Sequence, residues 1–263
     1  MRRALLALLL MFACPTACLA GLTERQLQDV KLDPAPGTLL PLATTFTSAE
    51  SGAAVTLGTA LAGKPAVLVL LDYTCRFICG STLAIAAAAL SGTGLTPEAD
   101  FQLAVIGLDP RDGRDAALAL KAEKLGPYPA LASKAAFLVG DAAAIGRVTG
   151  ALNYRAVYDR EIDQFAHPTA AIVLTPQGRV SRVISGLALD GTNLRLALKD
   201  ARDGQVLGIA SGIRLLCYSL DPMHGPYTFA IRLVLMAAGI LTLAAIAAFA
   251  GLLTRRAKGA RPS

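Results

Sequence analysis

The longest uncharged stretch of the sequence, Leu233 to Leu253, sets the first limit on what this chain can fold into. It holds 21 residues without a charged side chain, and a helix of about 20 apolar residues crosses the hydrocarbon core of a bilayer. Hydrophobic residues make up 54% of the chain and the mean hydropathy is +0.52, which is too apolar for a wholly water-facing fold. We therefore expect a transmembrane helix over residues 233–253 and a basic cytoplasmic tail over 254–263.

The amino-terminal residues have the features of an export signal. Arg2 and Arg3 precede an apolar run too short to span a bilayer, and the small Ala20 marks the expected cleavage point. We expect a signal peptide over residues 1–20, with an uncleaved anchor and a lipoprotein as alternatives. The basic tail belongs in the cytoplasm by the positive-inside rule. The expected topology is a domain over 21–215 facing the periplasm, a juxtamembrane linker over 216–232 and a single pass through the inner (cytoplasmic) membrane.

The net charge of the chain comes from its two ends. Six basic residues and no acidic residue lie there, and they equal the formal net charge of +6: Arg2, Arg3, Arg255, Arg256, Lys258 and Arg261. The body is therefore balanced in charge, and the chain contains no Trp. Nucleic-acid binding requires a basic face and often aromatic stacking platforms, so we expect no nucleic-acid partner.

The body alternates between strand and helix patterns after an extended lead over residues 32–47. Continuous apolar runs predict buried strands, and capping residues and helix-forming composition predict helices. The strands are expected over 65–72, 101–108, 169–174 and 179–185, and the helices over 81–90, 113–125, 141–149 and 190–201. This order predicts an α/β fold with a mixed sheet flanked by helices.

Two cysteines, Cys75 and Cys79, follow the first strong strand directly. Residues four apart lie on one face of a helical turn, where two sulfurs can share a metal ion or form a disulfide. The carboxyl end of a strand is where open α/β sheets place functional groups, and a bridge across so short a loop adds little stability. A structural disulfide, common in exported proteins, is the alternative. Arg76 between the cysteines favours the thiolate form.

One of the two histidines, His167, precedes Pro168 and a predicted strand, so we expect it on a loop that enters the sheet. Two thiolates and an imidazole form a soft three-ligand set that suits Cu(I), whereas a structural zinc site requires a fourth protein ligand. A core or surface histidine without a ligand role is the alternative. Cys217 and His224 in the expected linker are either a second soft-metal site or part of a segment packed on the domain or bilayer.

The order of these motifs resembles the Sco/SenC family of thioredoxin-fold copper-binding proteins. The resemblance covers most of residues 35–203 and rests on Tyr-Thr-Cys-Arg-Phe-Ile-Cys-Gly (73–80), Val-Ile-Gly-Leu-Asp-Pro-Arg-Asp-Gly (105–113), Phe-Leu-Val-Gly-Asp (137–141) and the histidine before a strand, turn and strand. It implies a thioredoxin-like sheet and copper, as Cu(I) and also Cu(II), bound by Cys75, Cys79 and His167. Family members often have Pro at the positions of Arg76 and Gly80, and many have an amino-terminal anchor.

The resemblance also implies a function. It is that of a membrane-tethered copper metallochaperone that delivers copper to the CuA site of cytochrome c oxidase, or reduces the thiols of that site. The implied partners are the CuA-bearing oxidase subunit and a thiol reductant in the exported compartment. The alternative is a periplasmic thiol-disulfide oxidoreductase that uses Cys75 and Cys79 and does not require His167. A peroxiredoxin-like enzyme fits less well, because the Pro-rich spacing before a peroxidatic cysteine is absent.

Overall fold

The chain divides into two compact units, Met1–Leu215 and Leu216–Ser263. The computed structural model describes residues 22–75, 79–206, 236–243 and 246. In the second unit, residues 236–243 are helical and their side chains are exposed. The first unit contains the sheet and all the elements named below.

The strands and helices of the first unit alternate over most of its length. In chain order the strands are β1 (Lys31–Leu32), β2 (Thr45–Ser48), β3 (Ala54–Thr56), β4 (Ala66–Leu71), β5 (Gln102–Gly107), β6 (Ala136–Val139), β7 (Tyr154–Arg155), β8 (Val157–Asp159), β9 (Gln164–Ala166), β10 (Ala170–Leu174) and β11 (Val180–Ser185). The helices are α1 (Glu24–Gln28), α2 (Leu57–Leu61), α3 (Cys79–Ser91), α4 (Arg114–Leu125), α5 (Pro129–Lys134), α6 (Ala142–Ala151) and α7 (Gly191–Arg202), with a 3-10 turn at Gly186–Ala188.

A seven-stranded mixed sheet forms the centre, with strand order β11-β10-β4-β5-β6-β2-β3. The three middle strands β4, β5 and β6 are parallel, while β10 joins β4, and β2 joins β6, in antiparallel pairing. The parallel strands end at the same edge, so the segments after β4 and β5 lie beside each other. The β1–β7 and β8–β9 pairs form separate two-stranded sheets.

The central strands are covered by helices on both faces. All six residues of β4 and all six of β5 are buried, as expected for parallel strands between two helical layers. Val67 and Val69 pack with α3, α4 and α7, while Leu68 and Leu70 pack with α2 and α6 on the other face. The predicted α/β mixed sheet with flanking helices is confirmed.

The extended lead expected over residues 32–47 is only partly correct. Its last residues enter β2, which pairs with β3 and with β6 and so extends the sheet at one edge. The strand pattern of β2 is weak because its only hydrophobic residue is Phe46, which is buried. Tertiary pairing with β6, at Thr47 and Ser48, completes the strand.

The expected membrane-directing segments fall largely outside the described residues. Within residues 22–75, 79–206, 236–243 and 246, no helix is both long enough and apolar enough to cross a membrane. The signal peptide over 1–20, the linker over 216–232, most of the helix over 233–253 and the tail over 254–263 lie outside those ranges. These four assignments stay predictions.

Candidate metal centre

Asp72 organises the turn at the carboxyl end of β4. Its carboxylate is fully buried, and Oδ1 accepts hydrogen bonds from the backbone N–H of Thr74 at 2.9 Å and from its hydroxyl at 3.0 Å. Oδ2 accepts from the backbone N–H of Phe165 in β9 at 3.1 Å. One buried carboxylate therefore fixes both the cysteine turn and the strand that precedes His167.

Cys75 ends this turn in a partly buried position. It is disulfide-bonded, and the side chain of its partner lies outside the described part of the chain. Its Sγ atom is 3.4 Å from Oε1 of Gln164, a buried residue at the start of β9. Cys79 is the first residue of α3, but its side chain, like residues 76–78, is not among those described.

His167 lies between β9 and β10 and is 7% exposed. Its Nδ1 atom is 3.1 Å from the carbonyl oxygen of Pro168, so Nδ1 carries the proton in a neutral ring and donates it there, leaving the lone pair on Nε2. Nε2 is buried and has no hydrogen-bond partner among the described residues. Burial lowers the pKa of His167, against the smaller opposing effects of the Pro168 carbonyl and the Asp72 charge. A neutral imidazole with a free Nε2 lone pair is the form that binds metal ions.

The β8–β9 hairpin brings the histidine segment to the cysteine turn. Gln164, three residues before His167, contacts Cys75, and Phe165, two residues before it, donates its backbone N–H to Asp72. Among the described residues, no three His, Cys, Asp or Glu side chains are grouped as a metal site. Because the Cys79 side chain lies outside that part of the chain, the ligand set of Cys75, Cys79 and His167 stays a prediction.

Two further carboxylates, Asp109 and Asp112, lie in the loop after β5, next to the cysteine turn. Asp112 accepts the backbone N–H of Tyr73 at 3.0 Å. Burial, followed by the charges of Asp72 and Asp109, raises the pKa of Asp112 to about 6. Asp109 pairs with Arg111, whose guanidinium Nε lies 2.9 Å from both carboxylate oxygens.

Arg111 also connects this loop to the hairpin. Its Nη2 lies 2.7 Å from Asp163 Oδ1 in the hairpin turn, and its guanidinium lies over the Tyr158 ring at 5.0 Å. Gln164, Asp112 and Arg111 were not among the predicted site residues. The Asp-Pro-Arg-Asp motif was a usable signal for the last two, whereas nothing in the sequence near Gln164 indicates a contact 89 positions away.

Three solved structures share this fold at low sequence identity. Arabidopsis thaliana ScoI with copper bound has 20% identity and a TM-score of 0.51, covering 64% of this chain and 98% of that chain. A SCO1/SenC family lipoprotein from Bacillus anthracis str. Ames has 19% identity and a TM-score of 0.52, with 63% and 96% covered. BsSco, described as a Sco family cytochrome c oxidase assembly protein with a disulfide switch, has 20% identity and a TM-score of 0.51, with 65% and 96% covered. These likenesses show the thioredoxin-like fold.

The sequence itself identifies the family. No curated protein matches the chain, but the SCO1/SenC family model matches residues 39–199, which hold the cysteine turn, the Asp-Pro-Arg-Asp loop, the hairpin and His167. This match spans more than half of the chain, and the chain therefore belongs to the SCO1/SenC family.

Proposed function

We propose that this protein is a membrane-tethered copper metallochaperone that delivers copper to the CuA site of cytochrome c oxidase or keeps the cysteines of that site reduced as thiols. Family membership supports copper as the cargo, since ScoI of A. thaliana is described with copper bound. The description of BsSco as a cytochrome c oxidase assembly protein supports the oxidase as the client. The tether is the expected helix over residues 233–253, which places the domain on the periplasmic face of the inner membrane.

The proposed copper ligands are Cys75, Cys79 and His167. The main support for this assignment is that Nε2 of His167 is buried and has no partner in the described part of the chain, since a buried polar atom without a partner is costly unless a ligand satisfies it. Two thiolates and one neutral imidazole are soft donors that favour Cu(I). Because His167 is already held neutral, binding there displaces no proton, and proton release on loading comes from the thiols.

Loading requires that the Cys75 disulfide first be reduced. A disulfide gains two electrons and two protons to become two thiols, and an external dithiol that is itself oxidised to a disulfide can supply them. This requirement is the reason for proposing a thiol reductant in the same compartment as a partner. The redox state of Cys75 would therefore control whether the protein can bind copper.

The test is copper binding by the reduced full-length chain in detergent, with a chromogenic Cu(I) chelator as competitor. We expect one Cu(I) per chain, loss of tight binding in Cys75→Ser and Cys79→Ser, and an affinity roughly tenfold or more lower in His167→Ala, which leaves a two-coordinate ion. Cys217→Ser and His224→Ala are the matched controls and should bind as the wild type does. Unchanged affinity in His167→Ala would contradict the proposed site.

A thiol-disulfide oxidoreductase is the second candidate function, and the disulfide at Cys75 is the observation that favours it. Dithiol exchange needs two cysteines and no imidazole ligand. His167→Ala therefore separates the two functions: a chaperone loses copper affinity, whereas an oxidoreductase keeps its rate of disulfide exchange with a thiol substrate.

A further inference from the structure

We propose that Gln164 is a positioning residue that hydrogen-bonds the Cys75 sulfur in its reduced forms and so shifts the balance between dithiol and disulfide toward the dithiol. The inference deepens the proposed function, because that function requires Cys75 to be reduced. It concerns the copper-free protein, so it stands or fails independently of copper binding.

The backbone of the hairpin holds Gln164 against the cysteine turn. Gln164 is 6% exposed, and its neighbour Phe165 donates its backbone N–H to Asp72 at 3.1 Å. The Phe165 ring packs against Tyr158, with ring centroids 5.1 Å apart, and Asp163 pairs with Arg111. The Gln164 amide group therefore contacts Cys75 from a strand whose position is fixed by these neighbouring contacts.

The redox state of Cys75 determines whether its sulfur and the Gln164 amide can form a hydrogen bond. In the disulfide form the Cys75 sulfur carries no hydrogen, so its 3.4 Å approach to Oε1 is not a hydrogen bond. After reduction, a thiol at this position donates its S–H to Oε1. A thiolate instead accepts a hydrogen from Nε2 once the amide turns over. An amide can serve both reduced forms, whereas a disulfide sulfur has no hydrogen to donate to Oε1 and accepts from Nε2 only weakly.

Because the Gln164 side chain is buried, gaining or losing a hydrogen bond to Cys75 changes the stability of each redox form. In the described part of the chain, Cys75 is the one residue whose atoms come within hydrogen-bonding range of the Gln164 side chain. A buried amide gains from a partner and loses when that partner is removed. Reduction of the disulfide therefore supplies the missing S–H donor to a buried acceptor, which favours the reduced protein.

The expected size of the effect is that of one hydrogen bond. Such bonds alter an equilibrium constant by about two- to tenfold, and tenfold corresponds to about 30 mV in the potential of a two-electron couple. The reaction is balanced because an external dithiol gives two electrons and two protons to the Cys75 disulfide and itself becomes a disulfide.

The experiment measures the dithiol–disulfide equilibrium of full-length, copper-free protein in buffers of reduced and oxidised dithiothreitol. Thiols are trapped by alkylation, and the Cys75 peptide is quantified by mass spectrometry. Gln164→Leu keeps similar volume without polar atoms, and we expect it to shift the equilibrium about two- to tenfold toward the disulfide. Gln164→Glu keeps an oxygen acceptor in either protonation state, and we expect it to stay within about twofold of the wild type near neutral pH.

A matched control tests the substitution itself. Gln177 is an exposed glutamine in the turn between β10 and β11, at the opposite end of β10 from His167, and Gln177→Leu should leave the equilibrium unchanged. An unchanged equilibrium in Gln164→Leu would overturn the proposal. Equal shifts in Gln164→Leu and Gln164→Glu would also overturn it, since they would indicate lost packing rather than a lost hydrogen bond.

Discussion

At the scale of single residues, buried carboxylates hold the backbone segments that form the site. Asp72 and Asp112 are both buried and each accepts a backbone N–H from the segments they hold, Phe165 and Tyr73 respectively. Burial, followed by the neighbouring charges of Asp72 and Asp109, raises the pKa of Asp112 to about 6.

The raised pKa of Asp112 predicts a pH-dependent stability. Its folded pKa lies above its ordinary value of 3.8, so its stabilising contribution is full below about pH 4 and is lost as pH rises through about 6. Asp112→Asn mimics the protonated group and keeps an oxygen that accepts from Tyr73 N–H. We expect it to raise the free energy of unfolding by roughly 1 kcal/mol near pH 8 and by much less near pH 4.5.

Urea unfolding of wild type and variant at the two pH values measures this difference. His167 acts in the opposite sense, because its lowered pKa gives stability above about 6.5 that is lost as pH falls below it. Both proteins keep His167, so its effect cancels in the comparison. Asp203→Asn, at an exposed position after α7, is the control. A gain from Asp112→Asn that is equal at both pH values would contradict the assigned titration.

At the scale of elements, the β8–β9 hairpin determines where His167 lies. Each of its strands has three residues, and an isolated hairpin of this size is marginal in water. Contacts that hold it to the rest of the domain include the hydrogen bond from Phe165 N–H to Asp72 and the ion pair between Asp163 and Arg111. We therefore expect its local stability to be lower than that of the sheet.

Loss of Arg111 should loosen the hairpin without unfolding the domain. Arg111 is 57% exposed, and exposed ion pairs contribute about 1 kcal/mol or less to global stability. We expect Arg111→Ala to speed hydrogen exchange at the Phe165 amide by roughly threefold or more while leaving the Tm within a few degrees. Arg202→Ala, which removes the similarly exposed pair with Asp100, is the control. Unchanged exchange at Phe165 in Arg111→Ala would show that the Arg111 contacts do not hold the hairpin.

The elements also show what the sequence can and cannot predict. The strands β4 and β5 were predictable because burial on both faces produces continuous apolar runs, as at residues 66–71. The cysteine pair and His167 were predictable as candidates because their chemistry is rare in this chain. The hairpin strand β9 was not, because its position depends on contacts with residues far away in the sequence, such as Asp72, 93 positions from Phe165. Gln164 could be recognised only after that docking was known.

At the scale of the whole molecule, we expect the domain to fold without the anchor. All the buried hydrophobic residues of the described chain lie between Leu32 and Ala201. The three proposed copper ligands lie in the same unit, Met1–Leu215. The unusual hydropathy of the chain is concentrated in segments outside this core, above all in residues 233–253.

Truncation after Leu215 tests this separation directly. The truncated protein keeps every core residue and every proposed ligand, so we expect it to unfold at the same temperature as the full chain and to bind the same amount of Cu(I). It lacks the 21-residue uncharged run, so it should move from the membrane fraction to the soluble fraction of the exported compartment. A chain shortened only after Thr254 keeps that run and is the matched control, expected to stay in the membrane. Membrane retention of the shorter protein would place the anchor elsewhere, and a lower Tm or lost copper binding would mean that the carboxyl-terminal unit supports the domain.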